Sequence, residues 1–165
     1  MIIDINVHWL PENLFADRSL LDSFIRAVPR AYGEYARVST VPGTSREQIV
    51  IEKPKGYENL NFGPRIVDPE DRLRAMDEAK VDKAILRIPC WQEWLGLEMC
   101  KKLNDGLAKY VRQHPDRFLA LATVPPWGDE ECLNELERCI KELGFCGVEL
   151  AAHYGTLYLD AVEFR

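Results

Sequence analysis

Apolar residues at the start of the chain fall on both parities, with Ile2, Ile3, Ile5 and Val7 in "MIIDINV". That is the pattern of a strand covered on both faces in a parallel sheet. From approximately residue 12 to 64 the periodicity weakens. A helix is predicted near "DRSLLDSFIRAV", Pro and Gly punctuate the segment, and "EQIVIEK" alternates like half of a β-hairpin. An insertion of this length after a first strand reads as a lid or small subdomain.

The pattern sharpens at residue 68. "DPEDRLRAMDEA" offers an N-cap Asp68, Pro69 at the first helical position, acids in the first turn, and Leu73, Met76 and Ala79 at helical spacing. "KAILRIP" then reads as a short buried strand. In "GLEMCKKLNDGLAKYVRQH", Leu97, Cys100, Leu103, Leu107, Tyr110 and Val111 form an apolar helical stripe that His114 and Pro115 stop. "FLALATVP" is the next strand, "DEECLNELERCIKEL" an amphipathic helix closed by Gly144, and "GVELA" a further strand. Strand and helix alternate with short connections, which requires right-handed crossovers and a parallel sheet. With the first strand, four strands are expected in a single domain spanning residues 1–165. "LDAVEFR" reads as Asp160 capping the first turn of a helix that has no body.

Composition narrows the function. The chain is 47% hydrophobic and 29% charged, which suits an ordinary globular protein. A net charge of -6 with no basic stripe argues against nucleic acid as the partner. No apolar run approaches the roughly 20 residues of a membrane span, and no secretory leader pattern is read, so a cytoplasmic protein without membrane attachment is expected. The five cysteines, Cys90, Cys100, Cys132, Cys139 and Cys146, contain no CxxC pair. They read as free buried thiols, with Cys132 and Cys139 sharing one helix face.

The candidate chemistry begins in "IDINVHWLP". Two positions separated by one residue at the carboxyl end of a strand point the same way, so Asn6 and His8 would share a pocket and one metal ion. Imidazole suits zinc, which lowers the pKa of a bound water or polarises a carbonyl. The stretch resembles the "IDxHxHxxP" opening of the amidohydrolase superfamily. "DPEDRLRAMDEAKVDKAIL", "LNDGLAKYVRQHPDRFLALATVP", "ELERCIKELGFCGVEL" and "AAHYGTLYLD" resemble, in order and spacing, its branch containing aminocarboxymuconate-semialdehyde decarboxylase.

The resemblance implies an α/β fold of the (β/α)8 TIM-barrel type, of which this chain holds about the first four β/α units, a half barrel with an insertion after strand 1. It also implies a divalent metal, usually zinc, at the carboxyl ends of the strands. His8 takes the place of the second opening histidine. Asn6 stands where the first would be, and an amide oxygen is a weaker donor to zinc than imidazole. The later ligands of the family would lie beyond Arg165.

His153 matches a loop histidine of some relatives and is the catalytic candidate, as a substrate contact or proton donor near the metal. Its structural alternative is a loop histidine bonded to backbone. Arg87, near the carboxyl end of the second strand, and Arg65 are candidates for binding a substrate carboxylate, with surface ion pairing as the competing role. Trp91, Trp94 and Trp127 follow strands and would wall an aromatic pocket or pack beneath loops. His114 reads as a helix C-terminal cap.

The function expected is therefore a metal-dependent decarboxylase or hydrolase acting on a small carboxylated substrate. The alternative is a non-catalytic half-barrel scaffold or assembly subunit. Open parallel edges in a half barrel call for a homo-oligomer or a second chain completing the barrel.

Overall fold

The structure is a computed structural model that describes residues 1–11, 13–27, 35–52, 60–62, 68–88, 95–154 and 157–164, apart from the side chains of Ala27, Leu60 and His153. In chain order the first elements are β1 (Ile3–His8), α1 (Arg18–Ala27), β2 (Tyr35–Thr40), β3 (Glu47–Glu52) and β4 (Leu60–Phe62). They are followed by α2 (Pro69–Glu78), β5 (Lys83–Arg87), α3 (Leu97–Val111), β6 (Phe118–Ala122), α4 (Glu130–Lys141) and β7 (Gly147–Val148). A short hairpin of β8 (His153–Tyr154) and β9 (Leu157–Tyr158) precedes a 3-10 turn at Val162–Phe164.

Four parallel strands lie in the order β1-β5-β6-β7, as the alternating pattern requires. Each intervening helix is fixed locally. Asp68 caps α2 by accepting the N–H groups of Glu70 at 2.9 Å and Asp71 at 3.3 Å, with Pro69 in the first turn. Asp129 caps α4 through the Cys132 N–H at 2.9 Å. Gly144 at φ 77 lets the chain leave α4, with the Phe145 N–H bonded to the Cys139 carbonyl. One face of the sheet is sealed. Ala84 and Leu86 on β5 and Phe118, Ala120 and Ala122 on β6 are buried in one cluster with Met76, Leu103, Leu107, Tyr110 and Cys139 from the helices. Ile85, Arg87, Leu119 and Leu121 alternate onto the other face and are only half-buried.

β1 departs from the sequence expectation. Ile3 is 38% and Ile5 68% exposed, so this strand is not covered on both faces. The reason is its place at the edge of the sheet, paired only with β5 among the described residues. Its register also slips. Asp4 lies opposite Ala84 and Val7 opposite Leu86, so β1 carries one extra residue, and the Asn6 N–H bonds the Asp4 carboxylate across the bulge at 3.0 Å.

Between β1 and α2, α1 lies beside an antiparallel sheet in the order β2-β3-β4. "EQIVIEK" supplies the central strand rather than half of a simple hairpin, and Ile49, Val50 and Ile51 are all buried. The Phe62 ring of β4 stands 6.3 Å from the ring of His8, which brings this sheet to the carboxyl end of β1.

Cys100, Cys132 and Cys139 are buried free thiols as expected, whereas Cys146 is exposed; Cys90 lies outside the described residues. Burial, reinforced by neighbouring acidic groups, pushes Cys100 up to about 12 and Cys132 to about 11, so both stay as inert thiols. Among the described residues no helix is long and apolar enough to cross a membrane.

Candidate functional site

The half-exposed face of the parallel sheet gathers its polar groups at the carboxyl ends of the strands. His8 and Arg87 are register partners on β1 and β5. Arg87 donates Nε to the Asn6 Oδ1 at 3.1 Å, and its Nη2 bonds the same oxygen. Its Nη1 pairs with Glu149, whose N–H continues the ladder past β7 by bonding the Ala122 carbonyl at 3.3 Å. One guanidinium thus links the first, second and fourth strands. On the other side, Arg72 of α2 donates to the His8 carbonyl at 3.0 Å and reaches the Tyr110 hydroxyl at 3.4 Å. An open depression of about 790 Å³ runs alongside, lined by Asn6, His8, Arg46, Asp71, Arg72 and neighbouring residues.

Burial lowers the pKa of His8, and the charges of Arg87 and Arg72 lower it further. The ring is uncharged at neutral pH. Its Nε2 is buried and has no hydrogen-bond partner among the described residues. An orphaned buried polar atom costs about 1–3 kcal/mol, which a bound metal or ligand proton would relieve. His8 therefore fits the metal-ligand role. Asn6 does not fit it in this arrangement, because its oxygen already accepts from a cation. Among the described residues no group of three His, Cys, Asp or Glu side chains is placed to hold a metal ion.

Of the residues singled out from the sequence, the fold brings Asn6, His8 and Arg87 together. Arg65, Trp91, Trp94 and the side chain of His153 lie outside the described residues, although the His153 backbone pairs with Tyr158 in the terminal hairpin. Trp127 packs in a cluster, stacked on Phe164 at 6.0 Å and tilted against Tyr154. Arg112 is the C-cap of α3, and His114, two residues on, donates its backbone N–H to the Val111 carbonyl at the helix end at 3.1 Å; its ring stands 3.6 Å from Glu70 and edge-on to Phe118. Glu149 was not evident from the sequence, where "GVELA" reads simply as a strand. The available signal was a carboxylate at the carboxyl end of a parallel strand, the position from which barrel sites are built.

The amidohydrolase family model matches residues 3–164. The 2-amino-3-carboxymuconate-6-semialdehyde decarboxylase of Dictyostelium discoideum is 31% identical over 99 residues, which are 56% of this chain and 28% of that protein. A gamma-resorcylate decarboxylase of Rhizobium radiobacter is 36% identical over 114 residues, 61% of this chain and 35% of that one. Among solved structures, a manganese-bound 5-carboxyvanillate decarboxylase of Novosphingobium aromaticivorans has the same fold with a TM-score of 0.64 at 24% identity, covering 99% of this chain and 45% of that chain. A manganese-bound dihydroxybenzoic acid decarboxylase of Polaromonas gives a TM-score of 0.60 at 22% identity, covering 99% and 43%. The chain thus spans less than half the length of the proteins it matches, and its parallel sheet corresponds to part of their barrels. Over nearly all its length, the chain belongs to the amidohydrolase family.

Proposed function

We propose that this chain forms the amino-terminal part of a metal-dependent decarboxylase that acts on a small carboxylated aromatic compound. The supporting observation is His8, an uncharged imidazole at the carboxyl end of a parallel strand whose Nε2 is buried and unbonded among the described residues. His8 would hold a divalent cation, and zinc is the ion proposed, with manganese as the ion named for the two solved relatives. When bound, the metal would polarise a substrate oxygen or activate water. Arg87 is the proposed anchor for the substrate carboxylate, by exchange of its Glu149 partner, and Arg65 and Trp91 are proposed further contacts. His153 is the proposed proton donor. The exposed edge of β1, with Ile3 and Ile5, is the surface on which a second copy or a barrel-completing chain would pair, and the cytoplasm is the proposed compartment.

The hold of Arg87 on Asn6 favours one other reading, a scaffold in which the guanidinium stands where a metal would be. The deciding experiment loads the purified chain and its His8→Ala variant with zinc or manganese and measures retained metal after dialysis, with gamma-resorcylate as the first substrate screened. Stoichiometric metal in the parent and loss of it in the variant are expected. Equal retention by both would overturn the ligand role of His8, and retention by neither would support the scaffold.

A further inference from the structure

The bridge from Arg87 to Glu149 spans a strand. Arg87 lies on β5 and Glu149 directly follows β7, with β6 between those two strands in the sheet. On β6 the half-open face carries Leu119 and Leu121. A Cβ at Gly147, the register partner of Leu121, would stand 3.3 Å from Leu121 Cδ2, which puts these two positions on one face. The next pair, Ala122 and Val148, packs into the core on the helical side. One further step in that register sets Thr123 beside Glu149, whose N–H bonds the Ala122 carbonyl at 3.3 Å. Successive side chains alternate between faces and register partners share one. Thr123 therefore shares the face of the bridge, and the contact between guanidinium and carboxylate crosses β6 next to it.

The burial of Thr123 agrees with that placement. Leu119 and Leu121 are half-buried, whereas Thr123, on the same face and nearer its open end, is 1% exposed. Its Oγ1 is buried and has no hydrogen-bond partner among the described residues. The backbone is held where it is, because the buried Asn104 accepts the Thr123 N–H at 3.0 Å and donates to its carbonyl at 2.9 Å. A buried hydroxyl without a partner is uncommon in folded proteins, and valine would fill the same space without that cost.

We propose that Thr123 is a substrate-binding residue that the Arg87–Glu149 bridge covers in the free chain. When a ligand carboxylate takes the place of Glu149 on Arg87, one of its oxygens accepts the Thr123 hydroxyl. The two groups suit that ligand, since the guanidinium supplies charge and the hydroxyl donates one further bond to an acceptor-only group. The hydroxyl lacks an acceptor in the free chain and gains one in the complex, so the cost of leaving it unbonded returns as affinity. This role rests on the proposed exchange at Arg87 and adds to it a second donor for the same carboxylate.

Calorimetric titration of the full chain with benzoate, beside Thr123→Val, Thr123→Ser and Arg87→Met, tests it. Thr123→Val exchanges the hydroxyl for a methyl group of similar size. It is expected to unfold at a urea concentration no lower than the parent's, and to bind benzoate about tenfold more weakly or worse. Thr123→Ser is expected to keep the affinity and Arg87→Met to lose it. Equal binding by Thr123→Val and the parent, with Arg87→Met weakened, would overturn the role of Thr123 and leave Arg87 as the anchor. Undiminished binding by Arg87→Met, or no saturable binding by the parent at millimolar benzoate, would overturn the exchange at Arg87 and the Thr123 role with it. Lower stability of Thr123→Val would show that the hydroxyl is already satisfied in the free chain, and would also overturn the proposal.

Discussion

Replacing Glu135 by Ala is expected to lower the unfolding free energy by about 3–5 kcal/mol, the usual cost of removing one partner from a buried charged network. Glu135 is 3% exposed on α4, and Asn104 is fully buried on α3. The Asn104 Nδ2 donates to the Glu135 carboxylate at 2.8 Å and to the Thr123 carbonyl at 2.9 Å, while its Oδ1 accepts the Thr123 N–H at 3.0 Å. Arg138 grips the same carboxylate with Nε at 2.7 Å and Nη2 at 2.9 Å, and extends Nη1 to Asp105 at 2.8 Å. The network joins α3, α4 and the end of β6. Without Glu135, an amide and a guanidinium lose their shared acceptor in a site with little access to water. Burial pushes the Glu135 carboxyl up, but hydrogen bonds from Arg138, Asn104 and Cys139 together outweigh it and hold the pKa below its ordinary value of 4.5. With a native pKa below the unfolded one, this contribution is complete above pH 4.5 and fades as pH falls through the lowered native value. Urea unfolding of parent and variant at neutral pH checks the magnitude. Repeating it below that value should bring the two curves closer, and a constant gap would remove the carboxylate as its source.

The sequence made the parallel units legible because periodicity and capping are local. Asp68 with Pro69 marks the start of α2 and Gly144 the end of α4 through bonds made within a few residues, and the structure places those helix ends there. Legibility ended where a side chain meets a residue far along the chain. Glu135 and Asn104 are ordinary polar letters in helical runs until folding brings them together. The β1 bulge was invisible for a related reason: period-two counting groups Asp4 with Asn6 and His8, while the register places Asp4 beside buried Ala84. The apolar pattern of β1 marks a strand, but the covering of both its faces does not follow from it, because at the edge of the sheet Ile3 and Ile5 stay exposed. At the candidate site, the spacing of Asn6 and His8 predicted a shared pocket. That Arg87 would hold the amide oxygen of Asn6 depends on a contact spanning 81 positions.

The Arg87–Glu149 pair should behave as a coupled unit in a double-mutant cycle. Both side chains are largely withdrawn from water, with 14% and 15% exposure. Arg87→Met would take the guanidinium from the largely buried Glu149 carboxylate, and Glu149→Leu would take the carboxylate from a guanidinium that keeps its bonds to Asn6, each at a cost of about 3 kcal/mol. The double variant replaces the ion pair by apolar groups and is expected to lie within about 1 kcal/mol of the parent, because apolar replacement of a buried pair is often neutral. Four urea unfolding curves measure the coupling, and additive single effects would show that the two charges do not stabilise one another. The cycle also bears on chemistry. Arg87→Met removes the cation that holds the Asn6 oxygen beside His8 and reduces the local positive charge, so both donors become available to a divalent ion. Tighter retention of zinc or manganese by Arg87→Met than by the parent would show that the guanidinium competes with metal for this site. Unchanged retention would show that it does not.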